Sequence, residues 1–240
     1  LITAPALLVS AESVPETELP YDAYVYNNDL EPVLIPAPYA VSQTISATDI
    51  GLDSFVSLSD IFYDGSDRLY LSDAGNNRLI ITDKNFRLLH VVDSFMHDGV
   101  RETFSSPSSC YANTDSIYIA DSANSRIVVL QRDTLELDRI LEQPRIAQLG
   151  EDFIYTPTRL TVDYAGRIYV IAKGVNKGLI RLAPDGAFTS FFGAPDVEYN
   201  ILELLWRKIA TKEQRERMQQ YVPTEYSAVL MDKKGFLYTV

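Results

Sequence analysis

Cysteine and histidine are nearly absent from this sequence. Its 240 residues include one cysteine and two histidines. A single thiol, Cys110, excludes a disulfide within the chain and a zinc site built from several cysteines. Cys110 lies beside Tyr111 in an apolar run, so we expect it to be a small buried hydrophobic residue rather than a nucleophile.

Basic residues are also few relative to acidic ones. The chain has 21 Lys and Arg residues against 33 Asp and Glu residues, which gives a net charge of −12. Proteins that bind nucleic acids or anionic membranes need a basic surface. We therefore expect no nucleic-acid partner, and membrane association only through an N-terminal anchor.

What the sequence does contain is an internal repeat. Residues 69–83 (LYLSDAGNNRLIITD) and 117–131 (IYIADSANSRIVVLQ) match in register, with Asp73 aligned to Asp121. Each copy has short apolar runs bounded by Asp, Asn, Gly and Ser. In the first copy these runs are residues 58–63, 68–72, 78–82 and 88–95. The pattern predicts four antiparallel strands per copy, which is typical of one blade of a β-propeller.

Two further copies follow. The third begins near Tyr155 and places Gly166 in its first hairpin turn, and the fourth begins at Pro223. A repeated tyrosine occurs at Tyr70, Tyr118, Tyr169 and Tyr238. Its spacing is 48 and 51 residues, then 69, which indicates an insertion before the fourth copy.

The repeat resembles the NHL-repeat family of β-propellers, in a bacterial, extracytoplasmic form. The match runs from a strand-opening proline to an Asp-x-x-Asn-x-Arg loop and covers residues 55–192 and 223–240. In the third copy the loop at 172–177 lacks the Asp and the Arg. The resemblance implies an all-β propeller of six blades, of which this chain would hold about 3.5. It does not imply one activity, because the family includes binding modules and enzymes.

The segments outside the repeats complete the predicted organisation. Residues 1–11 have the pattern of a signal-peptide remnant, with a single N-terminal strand or a truncated membrane anchor as the alternatives. A signal peptide would make the protein secreted or part of the cell envelope. The remaining segments are a linker at 12–20, N-terminal strands at 21–50 that would complete the last blade, blades at 51–97, 98–145 and 146–194, a helical insertion at 195–222 and a truncated blade at 223–240.

The insertion at 195–222 has apolar residues at helical spacing, with Trp206 among them. One interpretation is a lid or a partner-docking element over one face of the propeller. The other is a structural decoration that packs Trp206 against a blade edge.

The mouth of the central channel is the expected binding site. The innermost strand of each blade faces the channel, so equivalent positions from all blades converge there. The predicted ligand-binding residues are Asp60, Ser109, Arg159, Glu225 and Tyr226. The fork of Arg159 suits a carboxylate or a sulfate. Alternatively, Arg159 pairs with Asp60 or Glu225 and only neutralises the channel.

The Asp-x-x-Asn-x-Arg loops invite a metal interpretation as well. Asp73 and Asn76 supply oxygen atoms, as do Asp121 and Asn124. Calcium needs about six to eight oxygen ligands, more than one loop offers. Because Asp and Asn also stabilise tight turns, we expect these loops to be structural and to hold no metal.

The function expected from the sequence is that of an extracytoplasmic binding or interaction module without a cofactor. Its ligand would be a carbohydrate or a protein partner. The alternative is a metal-dependent hydrolase or lactonase of the propeller type, which by resemblance would hold a divalent ion such as Ca²⁺ on Glu, Asn and Asp. A zinc-dependent amidating lyase is disfavoured, because His90 and His97 lie outside the inward strands.

Overall fold

The computed structural model describes residues 24–35, 42–150, 153–193 and 226–240. The predicted signal-peptide remnant, linker and helical insertion lie outside these residues, as does Glu225. The four helices within the described ranges are single 3-10 turns of three residues, and none is long and apolar enough to cross a membrane.

The N-terminal residues up to Ile45 form a separate unit. In it, β1 (Tyr24–Tyr26) and β2 (Pro32–Leu34) pair as an antiparallel hairpin. The side chain of Asn27 closes the turn, because its Oδ1 accepts the N–H groups of Asp29 and Glu31 at 2.9 Å. Two short strands were predicted in this segment; their role in completing a blade stays a prediction.

The second unit, from Ser46 onward, is built from antiparallel sheets. The first blade is β3 (Leu58–Tyr63), β4 (Arg68–Asp73), β5 (Arg78–Asp83) and β6 (Leu88–Val92), and a hairpin of β7 (Ser94–His97) and β8 (Val100–Thr103) follows it. The second blade is β9 (Pro107–Ala112), β10 (Ser116–Asp121), β11 (Arg126–Gln131) and β12 (Leu137–Leu141). The third is β13 (Pro157–Val162), β14 (Ile168–Ala172), β15 (Leu179–Leu182) and β16 (Phe188–Phe192), and β17 (Val229–Met231) pairs with β18 (Leu237–Thr239).

The first strands β3, β9 and β13 stand side by side, and each blade continues outward from them. This arrangement confirms the predicted all-β propeller fold. It also explains why the middle strands of the blades, such as β10 and β11, are buried without alternation. Val128 of β11 packs in the core shared with the first blade, whereas its neighbour Val129 packs in the core shared with the third. Both faces of a blade are thus buried, and each buried aliphatic side chain contributes about 1.5–3 kcal/mol.

The inner hairpin of each blade closes on a similar turn. Asp163 Oδ1 accepts the N–H groups of Ala165 and Arg167, both at 2.9 Å. Asp64 and Asp232 make the equivalent bonds in the first and fourth copies. The turn of the second copy is shorter, and Asn113 Oδ1 there accepts the N–H groups of Asp115 and Ser116. Gly166 has the positive φ of 75° that the sequence predicted for this turn. Partial burial acts to raise the pKa of Asp163, but the hydrogen bonds from Arg167 and Ala165 outweigh it and lower the pKa.

One element was not predicted. The apolar run at 88–95 indicated a single strand, but β6 ends at Val92 and the β7–β8 hairpin begins at Ser94. Asp98 and Gly99 form its turn with φ values of 50° and 80°. These are the angles of a type I′ turn, for which Asp-Gly is a strong sequence signal.

Candidate functional site

Each of the three inner strands begins with an irregularity at an equivalent residue. The pairing register shifts at Ser59 in β3, at Ser108 in β9 and at Thr158 in β13. A β-bulge of this kind leaves one residue out of the regular ladder. The hydroxyl of each bulge residue donates to a backbone carbonyl, as with Ser59 to Ser72 (3.2 Å) and Thr158 to Ile171 (3.1 Å). The backbone carbonyls of the bulge residues are then available to other partners.

Arg159 binds the three bulge carbonyls together. Its Nη1 donates to the carbonyl oxygens of Ser108 (3.1 Å) and Thr158 (2.8 Å), and its Nη2 donates to that of Ser59 (2.9 Å). These carbonyls come from three successive blades. Arg159 as a residue is partly exposed, and its guanidinium is bonded where the inner strands converge.

Arg159 does not pair with Asp60, and its predicted alternative pairing with Glu225 stays untested. No carboxylate of the described residues lies within 4.0 Å of its guanidinium nitrogens. Asp60 instead accepts the N–H of Cys110 at 3.4 Å and of Ile61 at 3.1 Å, and Glu225 lies outside the described residues. Three of the five guanidinium N–H donors are used by the carbonyls. The N–H of Nε and one N–H of Nη2 donate to no described residue.

The fourth copy requires a correction in register. The sequence alignment placed Glu225 and Tyr226 opposite Thr158 and Arg159. In the structure the N–H groups of Ser227 and Ala228 both bond the carbonyl of Val240, at 2.6 and 3.4 Å. This is the bulge pairing, so Ser227 and Ala228 occupy those two positions. Three residues separate Pro223 from the bulge residue Ser227, whereas Thr158 directly follows Pro157 in the third copy.

Tyr226 and Ser109 therefore contribute less to the channel mouth than expected. Tyr226 packs against Tyr169 and Ile171 of the third blade, and its hydroxyl donates to the carbonyl of Gly193 at 2.6 Å. Ser109 is at the position equivalent to Arg159 but is buried, with 1% exposure. Of the predicted site residues, Asp60 and Arg159 remain as partly exposed charged groups near the strand starts. Their role in binding a ligand stays a prediction.

The Asp-x-x-Asn-x-Arg loops have the structural role that the turn interpretation predicts. Asp121 is fully buried; its Oδ1 accepts the N–H of Ser105 at 2.6 Å, and its Oδ2 accepts Asn124 Nδ2 and Arg126 Nε, both at 2.9 Å. Asp73 makes the equivalent three bonds in the first blade. Both oxygens of each carboxylate are thus used in tying the loop to the segment that leads into its blade.

The metal alternative gains no support from the described residues. No group of three or more His, Cys, Asp or Glu side chains within them is placed to hold an ion. Occupancy by a cofactor is untested, and the hydrolase alternative stays a prediction from the sequence.

Cys110 is the buried residue that its apolar run predicted. It is 2% exposed, and its Sγ lies 3.8 Å from the carbonyl oxygen of Tyr70. Burial raises the pKa of the thiol, and the carboxylate of Asp60 adds to that effect. A thiol in this environment is a poor nucleophile.

Comparison with known proteins gives only distant structural similarities. No protein-family model matches the chain, and no curated protein matches it. Similar solved structures include hydrazine synthase from Kuenenia stuttgartiensis (TM-score 0.48, 8% identity, 84% of this chain and 45% of that one). Virginiamycin B lyase from Staphylococcus aureus has a TM-score of 0.43 and 11% identity, and the match covers 90% of this chain and 55% of that one. An extracellular domain from B. thetaiotaomicron has a TM-score of 0.44 and 11% identity, and the match covers 89% of this chain and 24% of that one. The chain thus spans between 24% and 55% of these proteins, and at this level of similarity their activities do not carry over to it.

Proposed function

We propose that this chain belongs to an extracytoplasmic, NHL-type propeller that acts as a binding module, and that Arg159 anchors a carboxylate of its ligand. The ligand is an acidic carbohydrate or the carboxylate-bearing end of a protein partner. The observation that carries the proposal is the bonding of Arg159. Carbonyls of three blades hold its guanidinium, while no described carboxylate neutralises it.

A guanidinium held in this way is a preorganised receptor. Its rotamer is already fixed, so little conformational entropy remains to be lost on binding. Nε and Nη2 lie along one edge of the guanidinium, and the N–H groups of that edge match the two oxygens of one carboxylate. The net charge of −12 disfavours long polyanions such as nucleic acids, so we expect a short ligand that presents one of its carboxylates to Arg159.

The extracytoplasmic location rests on the sequence. The apolar start of the chain resembles the end of a signal peptide, and a single cysteine fits a bacterial envelope protein. A protease-accessibility assay on intact cells tests this part. Cleavage of the propeller without lysis is expected, and protection until lysis would contradict it.

The binding proposal is tested by isothermal titration of the purified protein with trigalacturonate. The neutral trisaccharide galactotriose and a tripeptide with a free or an amidated C-terminus complete the set. We expect binding of at least one carboxylate ligand and at least a tenfold preference over its neutral counterpart. Equal binding of charged and neutral ligands, or no binding, would refute an anchoring role for Arg159.

Two variants sharpen the test. Arg159→Lys keeps the positive charge but removes the planar fork, so we expect at least a tenfold loss of affinity for the carboxylate ligand. Arg87→Gln is the matched control, because Arg87 is 79% exposed in the outer hairpin of the first blade and pairs with Asp83. Its affinity should equal that of the wild type. Thermal unfolding of each variant shows whether a loss of binding reflects a loss of folding.

A further inference from the structure

A second polar site lies between the first and second blades, next to the β7–β8 hairpin. It is an open cleft of about 670 Å³. Its walls come from the two Asp-x-x-Asn-x-Arg loops, from the chain that connects β8 to β9, and from the residue after β12. The residues that matter here are Asn77, Asn124, Arg101, Arg126, Glu102 and Glu142. A volume of this order is typical of small-molecule sites.

Two amide side chains line this cleft, and one offers a hydrogen-bond donor while the other offers an acceptor. Asn77 Oδ1 accepts the N–H of Ser106 at 2.8 Å, so the group that Asn77 has left for a ligand is its NH₂. Asn124 Nδ2 donates to Asp121 at 2.9 Å and to the carbonyl of Thr103 at 3.4 Å, so the group left there is its carbonyl oxygen. The hydrogen-bond network therefore fixes one donor and one acceptor, one on each blade.

The two loops also hold these amides rigidly. The left-handed conformation of Asn77 (φ 53°) ends the 3-10 turn of the first loop, and Asn124 is bonded to the buried carboxylate of Asp121. A ligand that bonds both amides would meet groups whose rotamers are already fixed, which lowers the entropic cost of binding.

The positive charges of the cleft are paired with carboxylates. Two arginines, Arg101 and Arg126, and two glutamates, Glu102 and Glu142, line the cleft. Arg126 also pairs with Asp121 and Arg101 with Asp93. Glu102 accepts hydrogen bonds from Arg126 Nη1 at 2.5 Å and is 2.6 Å from His97 Nδ1. The hydrogen bonds from Arg126 and His97 lower the pKa of Glu102, so it is a carboxylate at neutral pH. Because both arginines are already paired with carboxylates, the cleft offers no unpaired positive charge to an anion.

We propose that this cleft is a binding site for a neutral oligosaccharide. Each sugar hydroxyl is both a donor and an acceptor, so hydroxyls of one oligosaccharide can accept from Asn77 and donate to Asn124. The carboxylates and guanidinium groups that line the cleft offer further acceptors and donors to the sugar hydroxyls. The site differs from the one at Arg159 in ligand charge. It deepens the proposed binding function and can fail independently of it.

The test is isothermal titration with neutral hexasaccharides: cello-, malto-, xylo-, laminari- and mannohexaose. We expect at least one of them to bind with a dissociation constant of about 1 mM or lower. Failure of all five would overturn the inference. Because none of them carries a carboxylate, that failure would leave the proposal for Arg159 standing.

Asn77→Asp is the decisive variant. Asp keeps an oxygen for the N–H of Ser106 and tolerates the left-handed conformation, but it replaces the NH₂ donor by an acceptor. We expect at least a tenfold loss of affinity for the hexasaccharide. Asn85→Asp is the control, since it makes the same chemical change in the exposed turn between β5 and β6.

Three results would contradict the assignment to this cleft. If Asn77→Asp bound the hexasaccharide with unchanged affinity, the NH₂ group of Asn77 would not be a donor to the sugar. An equal loss in Asn85→Asp would make the effect one of overall charge. Loss of hexasaccharide binding in Arg159→Lys, with Asn77→Asp unaffected, would move the neutral sugar to the channel mouth.

Discussion

Asp121 should be among the most costly residues to truncate in the described part of the chain. Its carboxylate is fully buried and accepts three hydrogen bonds, one of them from the guanidinium of Arg126. Asp121→Ala would leave the N–H of Ser105 without its acceptor and the Asn124 amide with only the long bond to Thr103. Arg126 would keep Glu102 as its remaining carboxylate. Breaking a buried ion pair by removing one partner costs about 3–5 kcal/mol.

For a protein of this size, 1 kcal/mol corresponds to roughly 2–4 °C in melting temperature. We therefore expect Asp121→Ala to melt about 6–20 °C below the wild type, measured by circular dichroism at pH 7. Asp121→Asn has nearly the same volume, but its NH₂ faces the donors of Asn124 and Arg126. It should lose most of the same stability, at least about 2 kcal/mol.

Asp138 provides the control for this experiment. It lies in the outer strand β12, its side chain is 38% exposed, and it pairs with Arg139. Exposed ion pairs contribute at most about 1 kcal/mol, so Asp138→Ala should melt within about 4 °C of the wild type. If Asp121→Ala cost no more than Asp138→Ala, the view of the loop as a structural clamp would be wrong.

Three other predictions concern the same fold. Gly75→Ala should destabilise the protein by about 1–3 kcal/mol in urea unfolding, because a Cβ there would lie 2.4 Å from Val56 Cγ1 and 2.5 Å from its carbonyl oxygen; wild-type stability would show that the loop can shift. The melting temperature should fall as pH drops below about 4. Hydrogen bonds lower the folded-state pKa of Asp64 and Asp163 despite their partial burial, so the unfolded chain binds more protons than the folded chain in this range. A flat profile from pH 3 to 7 would contradict this. Cys110 should react with a thiol reagent only after unfolding, because it is buried and its thiol pKa is raised; rapid labelling of the native protein would disprove its burial.

The blade itself could be predicted from the sequence because its signals are local. The apolar runs at 58–63 and 78–82 lie within β3 and β5, and the Asp-x-x-Asn-x-Arg loops form the turns that their residue types favour. The β7–β8 hairpin was missed although Asp98-Gly99 is a local signal as well. The apolar run that continues to Phe95 hid the end of β6 at Val92.

The bonding of Arg159 could not be predicted in the same way. It depends on three bulges that turn backbone carbonyls toward one point, and two of its partners, Ser59 and Ser108, are 100 and 51 residues away in the chain. Side-chain pairing with Asp60 was the natural expectation, since backbone acceptors carry no residue-type signal. The register of the fourth copy failed for another reason, because three residues separate Pro223 from Ser227 and nothing in the residue types marks them as additional.

The most direct test of the proposed function is a crystal structure of the protein soaked with trigalacturonate. A carboxylate of the sugar is predicted at the channel mouth, with its oxygens about 3 Å from Nε and Nη2 of Arg159. The bonds of Arg159 to the carbonyls of Ser59, Ser108 and Thr158 should remain. A carboxylate bound elsewhere, with Arg159 contacting only those carbonyls, would show that Arg159 is a structural link and not a ligand anchor.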